Sequence, residues 1–322
     1  MSEVKKKYGV AAIIVLCIIG TIVVIYSKLQ LSNHDRSSIP KKFGATYMTM
    51  NNPYFEVLNE NIKEVVEANG DILITRDPLQ DQEKQNEQIE EMINENVEAI
   101  FLNPVDWKGV RTSLELCKRE GIPVFCIDTD VYDEKYIVST IISDNYDAGV
   151  QCANDMMSKV ESAKIIIVNH QNINSTNERV RGFLDTIAGK SEYEIVAQRI
   201  TVAELEKAMK EMKNILKTGV EFNVVLGGND PTALGCLAAM QQQGMESQVL
   251  LYGIDGSPDA KAMIKAGYME ATSAQSPIQI GETAATQAYK YLEGIKVEKN
   301  IVIPVTLISE KNLAEYDTAG WQ

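Results

Sequence analysis

The sequence predicts an α/β protein of two lobes, each a parallel sheet flanked by helices, set behind an N-terminal transmembrane anchor. Three observations predict it. Short apolar, β-rich runs alternate with amphipathic stretches over most of the chain. Those runs are continuously apolar, as in Lys164–Val168, which is the pattern of strands covered on both faces by helices. Residues 41–322 are also more than one hydrophobic core comfortably holds, which implies two lobes.

The N-terminus comes first in the chain and differs from the rest. Val10 to Ile25 carries no charge, and the uncharged stretch extends from Tyr8 to Ser27, long enough to cross a bilayer core of roughly 30 Å. Lys5, Lys6 and Lys7 precede it, so the positive-inside rule keeps that end in the cytoplasm and exports the chain beyond Lys28. A cleaved signal peptide is the competing reading; the run is long for one and no A-x-A-like site comes after it. A lipid-bearing Cys17 is a further option, but Leu16 stands where a small residue is expected. Gln30 to Lys42 is polar and aperiodic and reads as a tether. The expected organisation is residues 1–40 as anchor and tether, 41–143 with 276–305 as one lobe, and 144–275 with 306–322 as the other.

The expected strands are Phe43–Met50, Asp71–Thr75, Ala99–Leu102, Val124–Ile127, Ile137–Ile142, Lys164–Val168, Ile195–Thr201, Asn223–Leu226, Gln248–Ile254, Tyr268–Ala274 and Ile301–Leu307. Between them run helices at Tyr54–Ala68, Gln82–Asn94, Gly109–Glu120, Tyr146–Val160, Glu178–Ala188, Ala203–Leu216, Thr232–Gln243 and Ile278–Leu292.

Composition narrows the function. A formal charge of −14 argues against nucleic acid, whose binding needs clustered Lys and Arg. The two histidines, His34 and His170, leave little room for a histidine metal site or triad. No dinucleotide fingerprint, phosphate loop, nucleophile elbow or C-x-x-C pair is present, so neither a cofactor nor an enzymatic reaction is expected. Asp77, Asp81 and Glu83 lack calcium-loop spacing and read as a solvated helix start. Cys117, Cys126, Cys152 and Cys236 read as buried and unpaired.

In open α/β sheets ligands bind beyond the C-terminal ends of the strands. The residues there are Asn52, Tyr54 and Phe55 after the first strand, then Asp128, Asn229, Asp255 and Gln275, with Arg179 expected in the first turn of a helix. Singly, each has an ordinary reading as turn, cap or core, and Asp144 and Asp230 read as N-caps. Together they offer carboxylates and amides for hydroxyls, one guanidinium, and aromatic rings for an apolar C–H face, which is what a sugar requires.

At these residues the chain resembles the ribose-type periplasmic sugar-binding proteins, which have the type I periplasmic-binding fold. The resemblance runs from Lys42 to about Ser309. Its segments are Met50–Phe55 (MNNPYF), Leu102–Asp106 (LNPVD), Gly121–Asp128 (GIPVFCID), Ser143–Asn145 (SDN), Asn177–Phe183 (NERVRGF), Gly228–Gly235 (GNDPTALG), Gly253–Asp259 (GIDGSPD) and Ala274–Pro277 (AQSP). It implies three chain crossings, near Ser143, Gln275 and Val305, and a monosaccharide or related polyol clamped by hinge closure. It implies Asn52, Tyr54, Phe55, Asp128, Arg179, Asn229, Asp255 and Gln275 as ligand contacts, the two aromatics stacking on the sugar. The implied partner is an ABC permease, or alternatively a membrane histidine kinase or chemoreceptor, with the protein a monomer on the outer face of the membrane. Repressors that share the fold need a basic helix-turn-helix where this chain has its apolar run. Two positions depart from the ribose-type pattern: Thr129 replaces an arginine and Met48 a polar residue, which points away from ribose itself. The family's extra aromatic corresponds to Val202. Trp107 reads as pocket wall or packing, and His170 as a loop residue.

Overall fold

Two six-stranded sheets organise the chain in the computed structural model, which describes residues 39–245 and 248–322. The first contains β1 (Lys42–Thr46), β2 (Ile72–Arg76), β3 (Ala99–Leu102), β4 (Val124–Asp128), β5 (Ser139–Ser143) and β11 (Asn300–Ile303). Its order is β11-β5-β4-β3-β1-β2 and every pairing is parallel. The second contains β6 (Ala163–Asn169), β7 (Tyr193–Ile200), β8 (Val224–Gly227), β9 (Leu250–Asp255), β10 (Ala271–Ala274) and β12 (Thr306–Ser309), in the order β12-β10-β9-β8-β6-β7.

Parallel pairing needs a crossover, and helices supply it. They are α1 (Pro53–Ala68), α2 (Gln82–Asn94), α3 (Arg111–Glu120), α4 (Asn145–Lys159), α5 (Asn174–Ile187), α6 (Leu205–Leu216), α7 (Asp230–Gln241), α8 (Pro258–Lys265) and α9 (Pro277–Leu292). Each sheet is sandwiched: Phe43, Phe101 and Phe125 pack under α1 and α9, while Ile100, Leu102 and Cys126 pack against α2 and α3. The second sheet carries α4 and α5 on one face and α6 to α8 on the other. The buried strands are unbroken apolar runs for this reason, β3 being buried at all its positions.

The chain passes from the first sheet to the second after Ser143, back at Gln275–Pro277, and over again at Pro304–Val305. The single strand expected at Ile301–Leu307 is two strands, one in each sheet. Pro304 has no N–H to offer a ladder, and the chain changes sheets there. Because only two residues connect β11 to β12, no crossover turns the chain round, and β12 runs antiparallel to β10. α5 starts at Asn174, four residues before the expected Glu178, so Arg179 lies in its second turn and not its first. α8 was not among the expected helices.

Asp144 caps α4 by accepting from the Asp147 N–H, as expected. Asp230 does not cap α7; Asn229 does, and Asp230 is the first helical residue. Cys117, Cys126, Cys152 and Cys236 are buried and free, and burial pushes the Cys117 and Cys236 thiols up to about 12. The expected membrane span at residues 8–27 lies outside the described residues; among those described, no helix is long and apolar enough to cross a membrane.

Candidate functional site

The C-terminal ends of the two sheets face one cavity of about 30 Å³. All eight residues expected at a ligand site line it: Asn52, Tyr54, Phe55 and Asp128 from one lobe, Arg179, Asn229 and Asp255 from the other, and Gln275 from a crossing. Two of them are held by the helix starts they cap. The Asn52 Oδ1 accepts from the Tyr54 N–H at 3.0 Å, and the Asn229 Oδ1 accepts from the Thr232 N–H at 3.0 Å.

The carboxylates are aimed by strained backbone. Asp128 has φ 67° at the tip of β4, in a three-residue turn where the Thr129 N–H donates to the Ile127 carbonyl at 2.7 Å. Asp255 has φ 152° at the tip of β9 and is followed by Gly256 at φ 75°. Ala203, which also lines the cavity, has φ 58°. Non-glycine residues in such conformations persist where surrounding structure holds them, and here all three face the cavity.

Arg179 lies beside Asp255 and within electrostatic reach of Asp128. Its Nε donates to the Asn145 Oδ1 at 2.8 Å, its Nη1 to the Gly228 carbonyl at 2.9 Å, and Nη1 lies 3.6 Å from the Asp255 Oδ1. Helix contact sets this geometry. A Cβ on Gly149 of α4 would fall 1.8 Å from the Arg179 carbonyl oxygen, and one on Gly182 of α5 would fall 2.0 Å from the Tyr146 carbonyl oxygen. Only two glycines allow α4 and α5 to approach closely enough for Asn145 to meet Arg179.

Asp255 Oδ1 accepts from the Gln275 Nε2 at 2.7 Å, while its Oδ2 is buried with no partner among the described residues. Burial raises its pKa well above the usual carboxylate range; Arg179 opposes that and Asp230 adds to it. Burial likewise raises Asp128, against Arg179, Tyr54 and the Asn103 amide that donates to its Oδ2 at 2.9 Å. Tyr54 donates to the Gln275 Oε1 at 3.4 Å, and burial with the two nearby acids holds its hydroxyl well above its ordinary value. Asp230, fully buried behind the cavity, accepts from the Thr272 hydroxyl and the Ser257 N–H, both at 2.7 Å, and so braces β10 and the start of α8.

Asn103 and Ile173 contribute to the site and were not singled out in the sequence. Asn103 follows β3 and links two strand ends, accepting from the Met48 N–H at 2.9 Å while it donates to Asp128. Ile173 comes from the second lobe yet packs in the core of the first, beside Met48 and Phe55. Thr129 faces the loop of the other lobe and accepts from the Ser175 N–H at 3.0 Å. Asn174 donates to the Asp130 carboxylate at 3.1 Å, and the Trp107 N–H to the Asn172 carbonyl at 3.2 Å. Gln80 reaches the Val202 carbonyl at 3.1 Å, and Ala203, not Val202, lines the cavity. The lobes are thus drawn together, and entry of a ring-sized molecule requires them to part, since pockets for such ligands start at about 300 Å³.

Trp321 stacks edge-on against Tyr54, with centroids 5.7 Å apart. Trp107 packs against Tyr132 and lies off the cavity. His170 is buried, and burial lowers its pKa to about 4. Among the described residues no cluster of three His, Cys, Asp or Glu side chains is placed to hold a metal.

Residues 43–296 match the family described as the periplasmic binding protein domain. The ribose import binding protein of Bacillus subtilis (strain 168) is 31% identical over 286 residues, covering 88% of this chain and 92% of that protein. The D-apiose import binding protein of Actinobacillus succinogenes is 27% identical, covering 75% of this chain and 78% of its own length. Among solved structures, an ABC transporter solute-binding protein from Agrobacterium vitis with bound D-fucose superposes with a TM-score of 0.80 at 26% identity, covering 84% of this chain and 96% of that one. With its two-sheet fold, three crossings and family-wide match, this chain belongs to the periplasmic binding protein domain family.

Proposed function

We propose that the protein is the extracytoplasmic solute-binding component of an ABC-type sugar importer, and that it binds without chemistry. The lobes, residues 41–143 with 276–305 and 144–275 with 306–322, part and close about the three crossings to seat one sugar or polyol ring. Asp128, Asp255 and Arg179 hold hydroxyls, Asn52, Asn229 and Gln275 supply amides, and Tyr54 and Phe55 cover the C–H face. The protein acts as a monomer, held at the membrane by residues 8–27 with its lobes outside.

The observation that carries this reading is the Asp255 Oδ2. A buried carboxylate oxygen without a partner costs free energy unless something donates to it, and a sugar hydroxyl entering the cavity would do so. The sugars named for its relatives support the same class of ligand. The test is a thermal-shift screen of the full chain against monosaccharides, polyols and amino acids. A ligand at 100 times its Kd adds about 2.7 kcal/mol of stability, which raises Tm readily. A hit among sugars or polyols is expected; hits confined to amino acids would refute the reading.

A further inference from the structure

Beside the small cavity lies a chamber of about 600 Å³, and Thr49, Asn52 and Ala203 line both. Its walls come from the starts of α1, α6, α7 and α8 and from Trp321. The apolar part consists of Pro53, Leu205, Pro231, Leu234, Pro258 and the Trp321 indole. The charged part is Glu204, Glu206 and Asp259, and among the described residues no Lys, Arg or His lines it.

One wall is built with care. Residues 317–322 are fastened to the second lobe by Lys261, whose side chain is wholly buried. Its Nζ donates to the carbonyls of Asp317 and Gly320, both at 2.6 Å, and to the Gln322 Oε1 at 3.1 Å. The Gln322 Nε2 donates to the Gly256 carbonyl at 3.0 Å, and the Ser276 hydroxyl donates to the Gln322 main-chain oxygen at 2.8 Å. Trp321 is thereby fixed between the chamber and Tyr54.

We propose that the chamber is a second saccharide subsite, so that the ligand is a sugar unit bearing a second neutral ring, as in a disaccharide. The inference rests on the sugar reading of the inner cavity. Apolar walls with a fixed indole suit the C–H faces of a ring, and carboxylates with no cation beside them accept from hydroxyls. The same acids repel a phosphate or a uronate. The residues common to both spaces allow one molecule to span them through Thr49, Asn52 and Ala203.

The test uses the full chain and isothermal titration with D-glucose, D-galactose, D-fructose, D-xylose and L-arabinose. Maltose, cellobiose, gentiobiose, lactose, melibiose, sucrose, xylobiose and arabinobiose are titrated beside them. At least one disaccharide is expected to bind about tenfold or more tightly than its own monosaccharides. Leu234→Trp puts a bulky ring into the chamber wall where a second saccharide ring would lie, and should abolish that ratio while leaving monosaccharide affinity within about threefold. Trp321→Ala should also lower the ratio, and serves if Leu234→Trp does not fold. Monosaccharide binding with no disaccharide advantage, or a ratio unchanged in both variants, overturns the subsite. No binding by any sugar of this panel, together with no sugar or polyol hit in the thermal-shift screen, overturns the sugar reading itself.

Discussion

Arg179→Ala is expected to abolish most ligand affinity while leaving a folded protein, and the structure says why the two effects separate. The side chain satisfies the Asn145 Oδ1 and the Gly228 carbonyl and lies 3.6 Å from Asp255, all buried. In the closed form its removal strands two acceptors and a carboxylate, penalties of about 1–3 kcal/mol when taken singly that do not add in full among groups sharing one site. When the lobes part, water reaches the same groups, so the cost falls on closure rather than on folding. The expected loss of binding is about 2–4 kcal/mol, or roughly 30- to 700-fold in Kd. Calorimetry with whichever sugar the screen identifies measures it, and urea unfolding of the unliganded variant measures the other half. A double-mutant cycle with Asp255→Ala should give a coupling of at least about 1 kcal/mol, because the two charges share one buried pair. Unchanged affinity in Arg179→Ala, Asp128→Ala and Asp255→Ala alike would refute the reasoning, as would additivity within about 0.5 kcal/mol in the cycle.

Asp255→Asn should stabilise the unliganded protein at neutral pH. Its carboxyl is raised by burial, so native stability is full below the unfolded value of about 3.9 and falls as pH climbs toward the folded pKa, by at most about 1.4 kcal/mol per unit. The advantage of asparagine, read from urea midpoints, should therefore vanish near pH 4 and grow above it. His170 works in the opposite sense: lowered to about 4, it contributes stability above its ordinary value of about 6.5 that is lost as pH falls. Against His170→Gln, the wild type should lose about 3 kcal/mol between pH 6.5 and 4. Gly182→Ala drives a Cβ to 2.0 Å from the Tyr146 carbonyl oxygen and should cost about 1–3 kcal/mol, with weaker ligand binding because α4 and α5 carry Asn145 and Arg179. Thermal melting and calorimetry on that variant check both parts.

Much of the architecture was legible because parallel strands announce themselves as apolar runs. Ala99–Leu102 matches β3 residue for residue, and the candidate site residues come together because they lie at strand ends or in the segments that follow them, Arg179 in the second turn of α5 being the farthest from its strand. What sequence reasoning missed is tertiary. Ile173 reads as an isolated apolar residue among Asn and Ser, and nothing local says that it enters the other lobe's core. The sequence puts the start of α5 late because Asn174, Ser175 and Thr176 are cap formers; contact with Thr129 across the cleft lets the helix begin there. Asp230 looked like a cap, yet Asn229 one residue earlier takes that role and frees Asp230 to brace Thr272 and Ser257. β12 was hidden inside one apolar run, since hydrophobicity cannot say that Pro304 marks a change of sheet. Trp321 lies beyond the stretch that carries the family resemblance, and no periodicity points to it.

The interleaving of the sheets has a consequence for how the protein is made. β11 closes the edge of β5, and β12 the edge of β10, although both are among the last strands in the chain. Neither lobe can therefore be completed while it is being synthesised in order, and an N-terminal fragment carries an unpaired edge at β5. Domain-by-domain folding, the usual safeguard of a long chain, is unavailable to it. The nascent protein must reach residue 303 before the first sheet is sealed and residue 309 before the second, so premature termination before β11 leaves two open sheets and an aggregation hazard. Chaperone dependence should track the delay between β10 and β12 rather than the overall length of the chain.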